Sequence, residues 1–212
     1  MSTVEPKTQG TGIVAGSPLG FAGFLLLVYV VPPLLIFFDV VPFRFRFPVL
    51  LITSVMVLAY VLWKGNGLAA LGLRRDTLKR SLQLNLSITA LALVAIAAVY
   101  FLGLMRAPSI PAWRWFFVFY VLLSCPAQEF LFRSALFAEM DRAGITHRIW
   151  QVAISSAAYC LLHVIYRDAI TLGVTLCMGI AWGLSYRAAR NLWGVTVSHC
   201  VLGTVSIFVG LI

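Results

Sequence analysis

Charge is what this chain has least of. Only 11% of its 212 residues are Asp, Glu, Lys or Arg, against about 25% in soluble globular domains. Carboxylates are scarcer still, with 7 Asp and Glu facing 16 Lys and Arg. That composition excludes a solvated domain with an ordinary polar surface. Cysteine is sparse too. Cys125, Cys160, Cys177 and Cys200 all lie inside apolar segments and lack the spacing of a zinc site, so they read as small buried residues and not as disulfides or ligands. There is no internal repeat and no low-complexity stretch, which argues against a transporter built from duplicated halves. No short apolar core followed by a small-residue cleavage site is evident, so no cleaved signal peptide is expected.

What is there is apolar. Hydrophobic residues make up 61% of the chain and the mean hydropathy is +0.97. The class this implies is an all-α polytopic transmembrane bundle, and the length calls for one domain. The net charge of +9 is carried by Lys and Arg that punctuate apolar runs without forming a patch. The charge therefore points to topology and lipid headgroups, with no nucleic-acid partner expected.

Seven spans are expected. Residues 1–18 form a polar, Gly-rich, disordered tail, and residues 19–212 a single transmembrane domain with a motif-bearing core at about 113–212. The spans run Leu19–Phe38, kinked at Pro32-Pro33, then Phe47–Trp63, Leu86–Met105, Trp113–Arg142, Ile149–Tyr166, Ala169–Tyr186 and Leu192–Ile212. Between the second and third lies a basic amphipathic segment at about 68–83, where Leu71, Leu73, Leu78 and Leu82 alternate with Arg74, Arg75, Lys79 and Arg80, as suits a headgroup surface. Trp113 and Trp115 read as an interfacial belt, and Ser124 as a possible cap for a helix restarting at Pro126. With the amino terminus inside, the inner side holds Lys7, the five Lys and Arg of 64–80, Arg133, Arg142, Arg148, Arg187 and Arg190. The outer side holds Arg44, Arg46, Arg106, Arg114 and Arg167, so 11 of the 16 basic residues are inside and 5 outside. That bias predicts a cytoplasmic amino terminus.

The stretch Cys125-Pro-Ala-Gln-Glu-Phe-Leu-Phe-Arg133 closes an uncharged run, Trp115–Ala127. A charge at the bilayer centre costs roughly 2.5–3.5 kcal/mol on insertion scales, so such groups face the bundle interior and carry partners. Glu129 and Arg133 stand at i and i+4 on one helix face. His163 and His199 also interrupt apolar spans. Counted from the Gly144 turn, Glu129 is about 15 residues back, roughly 22 Å, and His163 about 16 residues forward from His147, roughly 24 Å. Glu129 and His163 are therefore expected to face one polar cavity. His199 falls lower, about 10 Å above the turn near Asn191. On the fifth span Ser156, Tyr159 and His163 form one polar stripe, and on the seventh His199, Gly203 and Ser206 share a face.

A carboxylate beside an imidazole can hold water and take its proton, and a second imidazole can serve a developing oxyanion. Arg133 would keep Glu129 ionised. Cysteine catalysis is weaker, since neither Cys125 nor Cys200 has an evident activating pair. A two-His, one-carboxylate metal set and a proton-coupled transporter remain open from the residues alone.

Gln128-Glu129-x-x-x-Arg133, Tyr159-x-x-x-His163 and His199-x-x-x-Gly203 together resemble the three-motif pattern of the CAAX protease and bacteriocin-processing family, intramembrane endopeptidases of the Ras-converting type. The order, spacing and membrane setting match over about residues 120–205, and Leu71-Gly72-Leu73-Arg74 resembles the segment before the family's core. The family pattern is Glu-Glu-x-x-x-Arg, Phe-x-x-x-His, His-x-x-x-Asn or Asp. The resemblance implies a peptidase acting without cofactor or metal on a membrane-associated or lipid-modified protein. It further implies an integral protein of a bacterial or archaeal cell membrane. Its catalytic positions fall on Gln128, Glu129, Arg133, His163 and His199, and its substrate-lining positions on Tyr159 and Gly203. Two departures stand out: Gln128 occupies the position of the family's base, and Gly203 that of its Asn. A non-catalytic binding or immunity-type relative is the alternative these departures allow.

Overall fold

A computed structural model describes residues 16–108, 110 and 113–211. All but the last three residues of the expected tail at 1–18 thus lie outside the described residues. Among the described residues all regular secondary structure is helical, with no strand. Six helices are long and apolar enough to cross a membrane: α1 Pro18–Phe37, α2 within Phe43–Trp63 (regular from Arg46), α3 Leu78–Phe101, α4 Phe116–Arg142, α5 within Arg148–Tyr166 (regular to Leu162) and α6 Ala169–Ala189. A seventh apolar helix, α7, runs Leu192–Phe208. Its 17 residues rise about 26 Å, short of the ~30 Å hydrocarbon core.

Side-chain size decides which helices approach closely. Gly179 and Gly183 of α6 lie against Ser156 and Val152 of α5, where an added Cβ would come within 3.2 and 3.3 Å of them. Gly194 of α7 sits so close to Ser81 of α3 that no side chain fits. Small residues at such crossings are how membrane helices gain packing without a hydrophobic drive between them. α4 is the most buried span and α3 the least. Leu131, Phe132, Ala135, Leu136, Phe137 and Met140 of α4 carry the middle of the core.

Two expected features differ in detail. α3 starts at Leu78, eight residues before the expected Leu86, so the second half of the basic segment forms its first turns. The first half is tethered: Leu71 is buried, its carbonyl accepts from Ser134 Oγ at 2.6 Å, and the Gly72 carbonyl accepts from Leu192 N at 2.9 Å. Gly72 has φ +81° and meets Tyr186 and Leu192, a conformation and a contact that a Cβ would oppose. Ser124 does not cap a restarted helix. Its φ of −67° and ψ of −50° are helical, so α4 continues through Pro126, and its hydroxyl accepts from Gln128 Nε2 at 3.1 Å. The irregularity takes another form. α4 widens into π turns at Tyr120–Ser124 and Phe130–Ala135, and α1 widens at Leu26–Val30 before Pro32-Pro33. Single π turns inside α-helices are often found at functional sites.

Candidate active site

The site is built on the wide turns of α4. The turn at 130–135 presents carbonyls that side chains also reach: Tyr29 donates to Leu131 O at 2.8 Å and Ser155 to Phe132 O at 2.7 Å. Arg133 has no exposed surface. Its Nη1 donates to Ser155 Oγ, and its guanidinium lies 5.2 Å from the Tyr159 ring centroid. Its Nε is 3.4 Å from Glu129 Oε2. That contact is an ion pair without hydrogen-bond alignment, so Oε2 has no hydrogen-bond partner among the described residues.

Glu129 is wholly buried, and its Oε1 lies 2.8 Å from His199 Nδ1. An ionised carboxylate only accepts, which places the imidazole proton on Nδ1. Nε2 is left as an acceptor, and Tyr159 donates its hydroxyl to it at 3.3 Å. Trp182 of α6 stacks on the imidazole at 4.8 Å and 24°, and Tyr120 meets it edge-on at 6.2 Å. His163 also packs on Tyr159, ring centroids 4.8 Å apart, with Nδ1 2.8 Å from the Tyr159 carbonyl. That bond leaves His163 Nε2 as its acceptor. Gln128 is buried beside Glu129, its Nε2 committed to Ser124 and its Oε1 without a partner among the described residues.

Glu129 meets His199, and the Tyr159 ring contacts both His199 and His163. The reason is where α7 begins. Asn191 is fully buried and Arg190 bonds Asp141 at 2.7 Å, so α7 starts level with Asp141, not with the Gly144 turn. From that shared level Glu129 is 12 residues away and His199 is 9, about 18 and 14 Å of rise. The wide turns of α4 and the two side chains' reach close the remainder. Among the described residues no group of three His, Cys, Asp or Glu side chains is arranged to hold a metal ion.

Gly203 faces Tyr120. A Cβ on residue 203 would overlap the Tyr120 hydroxyl, so the absence of a side chain at 203 and the presence of a phenol at 120 are one steric fact. Sequence reasoning missed Tyr120, Trp182 and Ser155. Tyr120 lies within the uncharged run before Glu129, and Ser155 adjoins the Ser156 that the polar stripe singled out. Trp182 is announced by nothing local. Cys125 and Cys200 are free thiols that pack with Phe116 and Tyr120 in a small cluster beside the site.

The family model described as type II CAAX prenyl endopeptidase, Rce1-like, matches residues 110–205, somewhat under half of the chain. The motif-bearing segment is similar to the Rce1-like family. That family is one of membrane proteases, and the match covers every residue of the cluster above: Tyr120, Gln128, Glu129, Arg133, Tyr159, His163, Trp182, His199 and Gly203. No curated protein and no solved structure matches the chain.

Proposed function

We propose that this chain is an intramembrane endopeptidase hydrolysing a peptide bond in a membrane-associated or lipid-modified protein, with water activated by its carboxylate and imidazoles. The observation that carries the reading is a wholly buried carboxylate 2.8 Å from an imidazole nitrogen, inside a segment of a protease family. Amide hydrolysis needs a group to take a proton from water and donors for the oxyanion. Glu129 acts through His199, holding the tautomer whose Nε2 can take the water's proton and stabilising the imidazolium that forms, as the carboxylate of a hydrolytic triad does. His163, its Nδ1 engaged by a carbonyl, offers Nε2 as a hydrogen-bond acceptor. Gln128 Oε1 orients the water without taking its proton, because a carboxamide only hydrogen-bonds. The Tyr120 hydroxyl supplies a donor in the space that a side chain at 203 would occupy. Arg133 keeps Glu129 ionised. It transfers no proton, since its guanidinium does not readily lose one. Tyr159 contacts both imidazoles and lines the approach. The distribution of Lys and Arg supports a cytoplasmic amino terminus, and the bacteriocin-processing resemblance supports a bacterial or archaeal membrane.

A second reading, a binding protein of the same family that does not cut, draws on Gln128 standing where the family pattern has its base. One experiment separates them. The purified chain, Gln128→Glu and Glu129→Gln are each incubated with prenylated and unprenylated peptides, and products are read by mass spectrometry. A peptidase working through Glu129 is cut down ~10²–10⁴-fold by Glu129→Gln. A parent that binds peptide uncut, with cleavage appearing only in Gln128→Glu, establishes the second reading.

A further inference from the structure

Away from the site, a groove of about 650 Å³ lies along the surface where α3 and α7 pack together, within the ~300–1,000 Å³ range of ligand sites. Its walls are apolar, among them Leu82, Leu86, Val197 and Val201, and Arg75 and Lys79 lie at one end. No acidic residue lines it. Arg74, the adjacent cation, is neutralised by Asp76, whereas Arg75 and Lys79 have no acidic partner among the described residues. Leu86 and Val197 are exposed, so the groove opens sideways where the bilayer lies. From Lys79 to Thr89, at its deep end, α3 rises about 15 Å, the depth of one leaflet of a ~30 Å hydrocarbon core.

We propose that this groove seats an anionic phospholipid of the surrounding bilayer, its phosphate on Arg75 and Lys79 and one acyl chain along Leu82, Leu86, Val197 and Val201. The charge selects the occupant: two unpaired cations at headgroup level and none along the apolar walls match a lipid with an anionic head and an uncharged tail. The deep wall is Ser198, whose Oγ accepts from Trp182 Nε1 at 2.9 Å and bonds Thr89 Oγ1 at 2.7 Å. Trp182 is the ring stacked on His199. The lipid therefore lies against the wall that holds His199, so the seat adjoins the site yet is separate from it. The proposal does not depend on whether the chain cuts peptides.

The test is lipid retention by the full chain. The protein in dodecylmaltoside micelles is titrated with palmitoyl-oleoyl phosphatidylglycerol or phosphatidylcholine, and bound lipid is read by native mass spectrometry. A cation near an anionic headgroup is worth about fivefold in affinity, so Arg75→Ala with Lys79→Ala weakens phosphatidylglycerol about 30-fold. Leu86→Trp, which fills the groove, expels it. Arg44→Ala with Arg114→Ala, exposed cations elsewhere, changes neither. Equal retention of the two lipids by the parent overturns the proposal, as does undiminished phosphatidylglycerol in the Arg75/Lys79 variant or equal loss in the Arg44/Arg114 variant. Binding of an uncharged farnesylated peptide that displaces phosphatidylglycerol from the parent, and is itself lost in Leu86→Trp, also overturns it and makes the groove a substrate seat.

Discussion

Glu129 spends one oxygen on His199 and holds the other against Arg133. A group placed between a cation and an imidazole in a buried setting is sensitive to its charge, and Glu129→Gln removes that charge while keeping the shape. Cleavage is expected to fall as stated above. The fold should weaken by about 3–5 kcal/mol, because Arg133 is left as an uncompensated buried charge. Thermal midpoints of parent and variant in the same detergent check the second effect. Gly203 makes a different prediction. Gly203→Asn collides with the Tyr120 hydroxyl, and overpacking of this kind costs about 1–3 kcal/mol. Adding Tyr120→Ala to Gly203→Asn should recover stability, giving a coupling energy of opposite sign to the single-variant losses. If the two changes simply add, Tyr120 and residue 203 do not share the space. Tyr120→Phe keeps the ring and removes one donor, and kcat is expected to drop about 10²–10³-fold with KM unchanged if the hydroxyl serves the oxyanion.

At the scale of the element, α4 does what a straight helix could not. Its wide turn at 130–135 gives carbonyls to Tyr29 of α1 and Ser155 of α5, and Arg133 bonds the same Ser155. Three helices are thereby fixed around one turn. Arg133→Leu removes the cation and its donors together, so it is expected to destabilise by about 3–5 kcal/mol. Arg133→Lys keeps the charge but not the planar fork, and should retain part of the stability. A chemical-denaturation series on both variants checks this ordering, and a leucine variant as stable as the parent would make the pair dispensable. The short α7 is the other element that matters. Its buried start, pinned by Gly72 and by the Arg190–Asp141 pair, lifts His199 to the level of Glu129.

Across the whole molecule, the loops at the opposite end from Asp141 and Arg190 are tied by ion pairs. Arg106 holds Asp168 at 3.0 and 3.1 Å, and Asp168 caps α6 by accepting from Thr171 N at 2.8 Å. The Arg106 guanidinium, with Thr171, holds the Asp168 carboxyl well below the usual carboxylate range. A depressed folded-state pKa contributes stability above the unfolded value of about 3.9 and loses it as the pH falls through the folded one. Asp168→Asn keeps a capping oxygen and removes the charge. Its thermal midpoint should lie below that of the parent at neutral pH, and the gap should begin to narrow only below about pH 4 and close as the pH falls through the lower folded-state value. A gap that persists in acid would show that the pair does not govern this end.

The sequence by itself determined the class, the approximate spans and the suspect residues. Scarce charge and long apolar runs admit only a helical membrane bundle, and Glu129, Arg133, His163 and His199 stand out because a titratable group in such a run must have a partner. Which partner was a matter for the tertiary structure. Counting residues from Gly144 set Glu129 opposite His163, because a linear count assumes that every helix starts at the surface and rises evenly. α7 starts below the surface at a buried Asn191, and α4 widens twice, so Glu129 meets His199, a contact the count did not place. Gly203 read as a missing side chain until the fold brought the Tyr120 hydroxyl into its place. The stacking of Trp182 on His199 left no trace in local spacing, because its cause is the packing of α6 against α7, a contact between segments that no period in the sequence encodes.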